Sequence, residues 1–282
     1  MTNRKANLTE DERPVAHRKT PETQAEGSPY HILAATCMAD ERTRVLKHGD
    51  TFAVFDHYGD IKPGGLGEEG LYHEGTRYLS CLLLELEEAR PFFLGSTIRD
   101  ENDQLAVALT NPDLLRDGQV RFPLGTLHLA AKKFLWRGVC YQQLRVKNHG
   151  REPVEMSLAL HFKADFADIF EVRGMKRKGR GQDLTPEVTD DRVVLGYRGL
   201  DGVLRRTLLQ FEPRPSRLTA STARLDLSLQ PQQEATFFVT VACIRDKDTR
   251  RQGERKRARF CLLVWLRTAS SVGSHRPPAS RQ

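Results

Sequence analysis

Three carboxylates in the middle of the chain form the densest group of side chains that could do chemistry. Asp165, Asp168 and Glu171 all lie within the short segment Ala164–Gly174. Hydrolysis of a glycoside needs two carboxyl groups about 5–10 Å apart, one of them a general acid and the other a base or nucleophile. Residues three apart in a helical or irregular turn can meet that distance, so acid/base work on a glycoside is one interpretation.

The same carboxylates also suit a structural role at the end of a strand. Acidic side chains in turns cap backbone amides, and these three could pair with Arg173 or with the run from Lys176 to Lys178. We favour this structural interpretation, and therefore assign no catalytic residue and keep Asp165, Asp168 and Glu171 as weak candidates.

No motif in the sequence predicts a cofactor or metal site. The letters of Gly65-Leu-Gly-Glu-Glu-Gly70 match a dinucleotide fingerprint, but Lys62-Pro63-Gly64 precedes them and two glutamates stand where an anion would lie. That fingerprint needs a preceding strand and a following helix, so we interpret it as a structural glycine loop. The nine histidines show no metal-binding spacing. His73-Glu74 could touch a ligand, although a satisfied loop pair is the commoner case.

The elements that must position these residues are predicted to be strands. Apolar residues fall on every second position from Val154 to Phe162, which is the period of a strand. Short apolar runs alternate with turn residues elsewhere, and no window shows a sustained helical stripe. This pattern predicts an all-β fold, a large antiparallel, supersandwich-like β-sandwich over about residues 30–244. The candidate strands are Arg44–His48, Thr51–Phe55, Tyr78–Leu86, Phe92–Leu94, Leu105–Leu109, Gly125–Trp136, Val139–Val146, Pro153–Phe162, Val193–Tyr197, Val203–Phe211, Leu225–Leu229 and Ala235–Cys243.

Both ends of the chain differ from this central domain. Residues 1–29 are polar and are predicted to be a disordered leader. Residues 245–282 hold 11 of the 44 basic and 3 of the 37 acidic residues, a net charge of +8, which leaves 33 basic and 34 acidic residues before them. The tail run from Arg250 to Arg259 could bind an acidic surface by counterion release. It has no reader fold, so we expect no specific nucleic-acid partner.

The sequence also bears on the compartment. No apolar run approaches the roughly 20 residues of a membrane-spanning helix, and the start lacks the apolar core of a secretory signal. The five cysteines are odd in number and mostly lie in apolar, strand-like runs. They are typical of reduced core residues. We therefore predict a cytoplasmic protein with no membrane partner.

Several segments together resemble one known family. They are His31-Ile-Leu-Ala34, Lys47–Phe55, Gly59-Asp-Ile61, Gly70–Ser80, Leu109–Asp113 and Ala164–Gly174. In order and number they are similar to the N-terminal domain of bacterial amylo-α-1,6-glucosidase-type proteins, the glycogen debranching enzyme family, from about residue 31 to about 243. Gly75 departs from that pattern, because many relatives carry Asp there.

The resemblance implies a β-sandwich packed in front of a helical α/α-toroid domain that carries the catalytic carboxylates. The 38 residues from Arg245 onward do not resemble the beginning of a toroid, so no catalytic residue of the family can be placed on this chain. The abrupt change to Arg/Ser/Pro-rich sequence suggests that residues 245–282 are a frameshifted end. The expected function is therefore that of a non-catalytic sandwich domain, with α-glucan or another carbohydrate as partner in the context of a missing catalytic domain.

Two alternatives remain open from the sequence. A stand-alone carbohydrate-binding protein would need an exposed aromatic platform, for which core packing is the better expectation at the candidates Tyr72, Tyr78, Trp136 and Tyr141. A minimal glycoside hydrolase would use Asp165, Asp168 and Glu171 directly.

Overall fold

Alternating apolar side chains make most of this chain β-strand. The computed structural model describes residues 43–63, 67–177 and 179–245, and within them one four-residue helix, α1 (Ile169–Val172), accompanies eighteen strands. The strands are β1 (Arg44–His48), β2 (Thr51–Phe55), β3 (Gly70–His73), β4 (Thr76–Leu79), β5 (Cys81–Leu86), β6 (Phe92–Ile98), β7 (Gln104–Thr110), β8 (Leu114–Arg116), β9 (Gln119–Phe122), β10 (Leu127–Trp136), β11 (Val139–Asn148), β12 (Val154–Lys163), β13 (Gln182–Val188), β14 (Arg192–Arg198), β15 (Leu204–Glu212), β16 (Arg217–Leu218), β17 (Thr222–Leu229) and β18 (Glu234–Arg245).

The strands form antiparallel sheets, as the alternation predicts. The largest has eight strands in the order β13-β14-β15-β18-β11-β10-β7-β6. Two sheets have four strands each, in the orders β16-β17-β12-β5 and β1-β2-β3-β4, and β8 pairs with β9 alone. The predicted all-β, antiparallel sandwich class is confirmed.

One hydrophobic core lies between these sheets. On β12 the buried residues are Val154, Met156, Leu158, Leu160 and Phe162, and the residues between them are partly or fully exposed. Phe162 meets Phe211 of the eight-stranded sheet with ring centroids 5.9 Å apart. The same core takes Phe55 and Leu79 from the β1–β4 sheet. Burial of each large apolar side chain contributes about 1.5–3 kcal/mol, so these facing stripes determine which side of each strand points inward.

The segment Tyr78–Leu86, predicted as one strand, is two strands that meet at Ser80. The N–H of Ser80 donates to the carbonyl of Lys163 (2.7 Å), the last residue of β12. This joint matters because it brings the start of β4 beside the loop that follows β12, and that loop carries the three candidate carboxylates.

The predicted leader lies outside the described residues, as does the tail after Arg245. Arg245 itself is the last residue of β18, and its guanidinium donates to the carboxylate of Glu74. Cys81 and Cys140 are buried free thiols and Cys243 is buried as well, whereas Cys37 and Cys261 lie outside the described residues.

Candidate functional site

The hairpin of β3 and β4 forms one side of the candidate site. Its two turn residues both have positive φ, 46° at Glu74 and 76° at Gly75. Two-residue hairpin turns prefer this conformation because it matches the twist of the strands, and glycine adopts it without strain. Gly75 therefore suits its position in the turn.

The loop after β12 forms the other side and is joined to the hairpin by backbone hydrogen bonds. The N–H of Arg77 donates to the carbonyl of Ala167 (2.8 Å), and the N–H of Ile169 donates to the carbonyl of Gly75 (2.9 Å). The loop and β4 also form an isolated antiparallel β-bridge between Thr76 and Asp168. Two segments about 90 residues apart in the sequence are thus held as one unit.

A bidentate ion pair reinforces this junction. Arg77 donates from Nε to Oδ1 of Asp165 (3.1 Å) and from Nη2 to Oδ2 (2.5 Å). The same guanidinium donates to the carbonyls of Gly67 and Glu69 (3.0 and 3.2 Å). Burial lowers the pKa of Arg77, but the hydrogen bonds and charge of Asp165 outweigh it and raise the pKa overall. Asp165 is therefore engaged as the partner of a permanently charged arginine.

Gly70 leaves the space through which the Arg77 side chain passes. A Cβ placed on Gly70 would lie 2.5 Å from Cδ and 2.9 Å from Cγ of Arg77, and 3.0 Å from the carbonyl oxygen of Leu79. Any larger residue would displace the arginine stem or the backbone. Gly70 and Arg77 of the motif segment Gly70–Ser80 thus depend on each other, because only a glycine at position 70 leaves room for the arginine stem.

Asp168 caps the short helix that follows. Its Oδ1 accepts from the N–H of Phe170 (2.9 Å), and its Oδ2 lies 3.6 Å from Nη2 of Arg177. An acidic side chain at this position satisfies a backbone donor that the helix leaves unpaired. Asp168 is therefore the N-cap residue of α1.

Glu171 pairs with the same arginine. Its Oε2 lies 3.3 Å from Nε of Arg177, so Arg177 bridges two of the three candidate carboxylates. The third, Asp165, pairs with Arg77 on β4 rather than with Arg173, whose Nε is 4.0 Å from Glu68. The structure thus brings Asp165, Asp168 and Glu171 into one loop, and gives each an arginine partner.

A cavity of about 380 Å³ opens next to this loop. Asp168 and Arg177 line one part of it, and Asp201 and Arg205, from the β14–β15 turn and the start of β15, line another. Tyr197 and Phe166 also line it, and their rings stack with centroids 5.5 Å apart and planes 7° apart. Arg205 forms two hydrogen bonds with Asp201, at 3.1 and 2.8 Å. No local pattern pointed to Asp201 and Arg205, because only the fold brings this turn to the loop.

A second group of charges lies beneath the β1–β4 sheet, and sequence reasoning did not single it out as a site. Nη2 of Arg90 donates to Asp56 (2.6 Å) and to Asp60 (3.2 Å), and the guanidinium lies 3.7 Å from the ring centroid of Tyr58. Burial and the nearby Asp56 raise the pKa of Asp60 to about 7, even though Lys133 and Arg90 act in the opposite direction. Asp60 belongs to the motif Gly59-Asp-Ile61.

Lys133 is a buried lysine on the core face of β10. Its Nζ donates to Oε1 of Gln142 (2.5 Å) and lies 5.0 Å from the ring centroid of Phe55. Burial lowers its pKa. A signal for this position was present in the sequence, since Lys133 occupies an inward place in the alternation Leu127, Leu129, Ala131, Lys133, Leu135.

The remaining candidates from the sequence are mostly in the core. His73 is buried, with Nδ1 2.8 Å from Oγ1 of Thr51. Tyr72, Tyr78 and Tyr141 are buried as expected, but Trp136 is 36% exposed at the end of β10, where it packs on His48 (4.1 Å between centroids). Within the described residues, no three His, Cys, Asp or Glu side chains are grouped to hold a metal ion. The described residues also include no helix long and apolar enough to cross a membrane.

One known family matches most of the chain. A family model described as "N-terminal domain of (some) glycogen debranching enzymes" matches residues 46–240, which is more than two thirds of the chain. The match includes both segments of the junction, from Gly70 to Gly174. No curated protein matches the chain at a significant level.

Several solved structures are similar to this chain at low sequence identity. A protein described as "Putative kojibiose phosphorylase from human microbiome" is 13% identical, with a TM-score of 0.45, over 82% of this chain and 32% of that one. The Slr1438 protein from Synechocystis sp. PCC 6803 is 9% identical, with a TM-score of 0.46, over 72% and 95%. A galactose mutarotase-like protein from Lactobacillus casei ATCC 334 is 10% identical, with a TM-score of 0.41, over 72% and 100%. The chain thus spans about a third of the length of the first protein. At these scores the three similarities support no functional argument.

Proposed function

Since the chain belongs to the family of the N-terminal domain of some glycogen debranching enzymes, we propose that it is a non-catalytic sandwich domain that supports an α/α-toroid catalytic domain acting on α-glucans. Family membership itself fits a carbohydrate-active β-sandwich domain. The further step, that this domain leaves the chemistry to another, rests on the carboxylates of the loop after β12.

The observation that supports the proposal is the engagement of all three carboxylates. Arg77 donates two hydrogen bonds to Asp165, Asp168 caps α1, and Oε2 of Glu171 lies 3.3 Å from Nε of Arg177 in an ion pair without a hydrogen bond. A carboxylate that acts on a glycoside must be free to contact the substrate, whereas these three face arginines of the protein itself. These surroundings suit a structural joint better than an acid/base pair.

We also propose that this function is exercised in the cytoplasm. Cys81 and Cys140 are buried free thiols, and reduced cysteines are usual in that compartment. Burial raises the pKa of the Cys81 and Cys140 thiols to about 11, so both remain protonated and unreactive at neutral pH.

The test combines an activity assay with a stability measurement on Asp165→Asn. The unchanged chain is expected to release no glucose from an α-1,6-branched limit dextrin. In the variant, Arg77 loses its charged partner while partly buried, so the free energy of unfolding in urea should fall by about 2 kcal/mol.

The matched control is Asp190→Asn, because Asp190 forms an ion pair with Arg214 (2.9 Å) in which both side chains are largely exposed. Exposed pairs contribute little, so this variant should stay within about 0.5 kcal/mol of the parent. Glucose release by the chain alone, lost in Asp168→Asn, would instead establish the minimal glycosidase.

A further inference from the structure

The cavity beside the candidate loop has the lining of a sugar site rather than of an ion site. It is bounded by two carboxylates, Asp168 and Asp201, and by two guanidiniums, Arg177 and Arg205. The opposite charges balance, so a charged ligand would gain no net attraction from these four side chains. A neutral ligand with many hydroxyl groups needs no net electrostatic attraction, because it binds these side chains through hydrogen bonds.

The ion pairs in the cavity leave hydrogen-bonding capacity for a ligand. Arg205 directs two of its five N–H groups to Asp201 and one to the carbonyl of Val203 (3.4 Å). Asp201 accepts these two hydrogen bonds and a third from the N–H of Val203 (3.1 Å), which leaves about one of the roughly four lone-pair sites of a carboxylate for a ligand. A hydroxyl both donates and accepts, so one sugar hydroxyl can bridge a carboxylate and a guanidinium that already face each other.

The cavity also offers an apolar contact and a suitable size. Leu200, in the β14–β15 turn, is 74% exposed and lines the cavity, where it can cover the C–H face of a sugar ring. The volume of about 380 Å³ lies within the usual range of small-molecule pockets. Its position next to Thr76 and Phe166 places it against both segments of the junction.

From these contacts we propose that this cavity is a subsite for a short neutral α-glucan, held by hydrogen bonds from its hydroxyls to Asp201, Arg205 and Arg177. The choice of α-linked glucose rests on the proposed function, whereas the choice of a neutral polyhydroxylated ligand rests on the cavity itself. The subsite would give the domain direct contact with glucan in addition to its support of a catalytic domain.

The test is a titration of the full chain with maltotriose, followed by saturation-transfer NMR of the ligand. We expect saturable binding with a Kd on the order of 1 mM. Asp201→Asn should weaken binding by about tenfold or more, since it removes one charged acceptor of the hydroxyls. Arg177→Gln, on the other part of the lining, should do the same, so the proposal stays testable if one variant fails to fold. Asp190→Asn, an identical change at an exposed ion pair outside this lining, should bind like the parent.

Three results would overturn the proposal. The first is that the folded parent chain shows no saturable binding of maltotriose up to about 10 mM. The second is that the folded Asp201 and Arg177 variants bind maltotriose as well as the parent does. The third is that the parent binds glucose 1-phosphate more tightly than maltotriose. Equal binding of β-linked cellotriose would overturn the choice of α-glucan while leaving a neutral sugar site. Failure here is distinguishable from failure of the proposed function, because the glucose-release assay does not depend on glucan binding by the cavity.

Discussion

Asp60 and Arg77 represent the two ways in which this chain uses charged side chains below its surface. Arg77 meets Asp165 in a bidentate geometry that satisfies both groups. Asp60 instead shares Arg90 with a second carboxylate, Asp56, and both carboxylates are buried. The first arrangement raises the pKa of Arg77, whereas burial and the neighbouring Asp56 raise the pKa of Asp60.

This difference predicts that the free energy of unfolding depends on pH through the titration of Asp60. Its pKa is raised from 3.8 to about 7, so the folded chain keeps a proton that the unfolded chain releases near pH 4. The contribution of Asp60 to the free energy of unfolding is then greatest below pH 4, falls as the pH rises to about 7, and is constant above that.

Asp60→Asn should remove this decline. In urea denaturation at pH 5, 6, 7 and 8, the variant is expected to gain stability relative to the parent as the pH rises. The groups that face Asp60, namely Asp56, Arg90 and Lys133, stay in place in this variant. A stability difference that is the same at every pH would show that Asp60 titrates normally.

At the scale of elements, the β3–β4 hairpin depends on a close approach between two of its own residues. Gly70 lies against the stem of Arg77 and the carbonyl of Leu79. Gly70→Ala should therefore lower the free energy of unfolding by about 2 kcal/mol, because overpacking displaces the arginine that joins the hairpin to the loop after β12.

Gly95→Ala is the matched control, since Gly95 also lies in a strand and a Cβ there would meet no atom within 4 Å. It should change stability by less than about 0.5 kcal/mol. Equal losses at the two glycines in a denaturation experiment would mean that strand propensity, rather than the contact with Arg77, explains the effect.

The strands themselves were largely predictable, and the contacts between them were not. The hairpin Arg44–His48 and Thr51–Phe55 was predicted with the bounds that the structure has, because a Gly-Asp turn and flanking apolar residues are local signals. The polar strand β13, exposed along most of its length, gave no such signal. The pairing of Arg77 with Asp165 depends on which strands become neighbours, and a single sequence does not encode that in any local pattern.

At the scale of the whole molecule, the family match covers all the residues of the candidate site. The segments Gly70–Ser80 and Ala164–Gly174 both lie within the family match, and backbone hydrogen bonds between them hold the junction together. These segments are therefore parts of a structural joint with a neighbouring cavity. We propose that the joint serves a catalytic domain and performs no catalysis itself.

Reconstitution tests that claim most directly. The purified chain would be mixed with the separately produced α/α-toroid domain of a full-length member of the family, and glucose release from a branched limit dextrin would be measured for each part and for the mixture. The account predicts no release by the chain alone, and more release by the mixture than by the toroid alone. Release by the chain alone, or a toroid whose activity is unchanged by the chain, would contradict it.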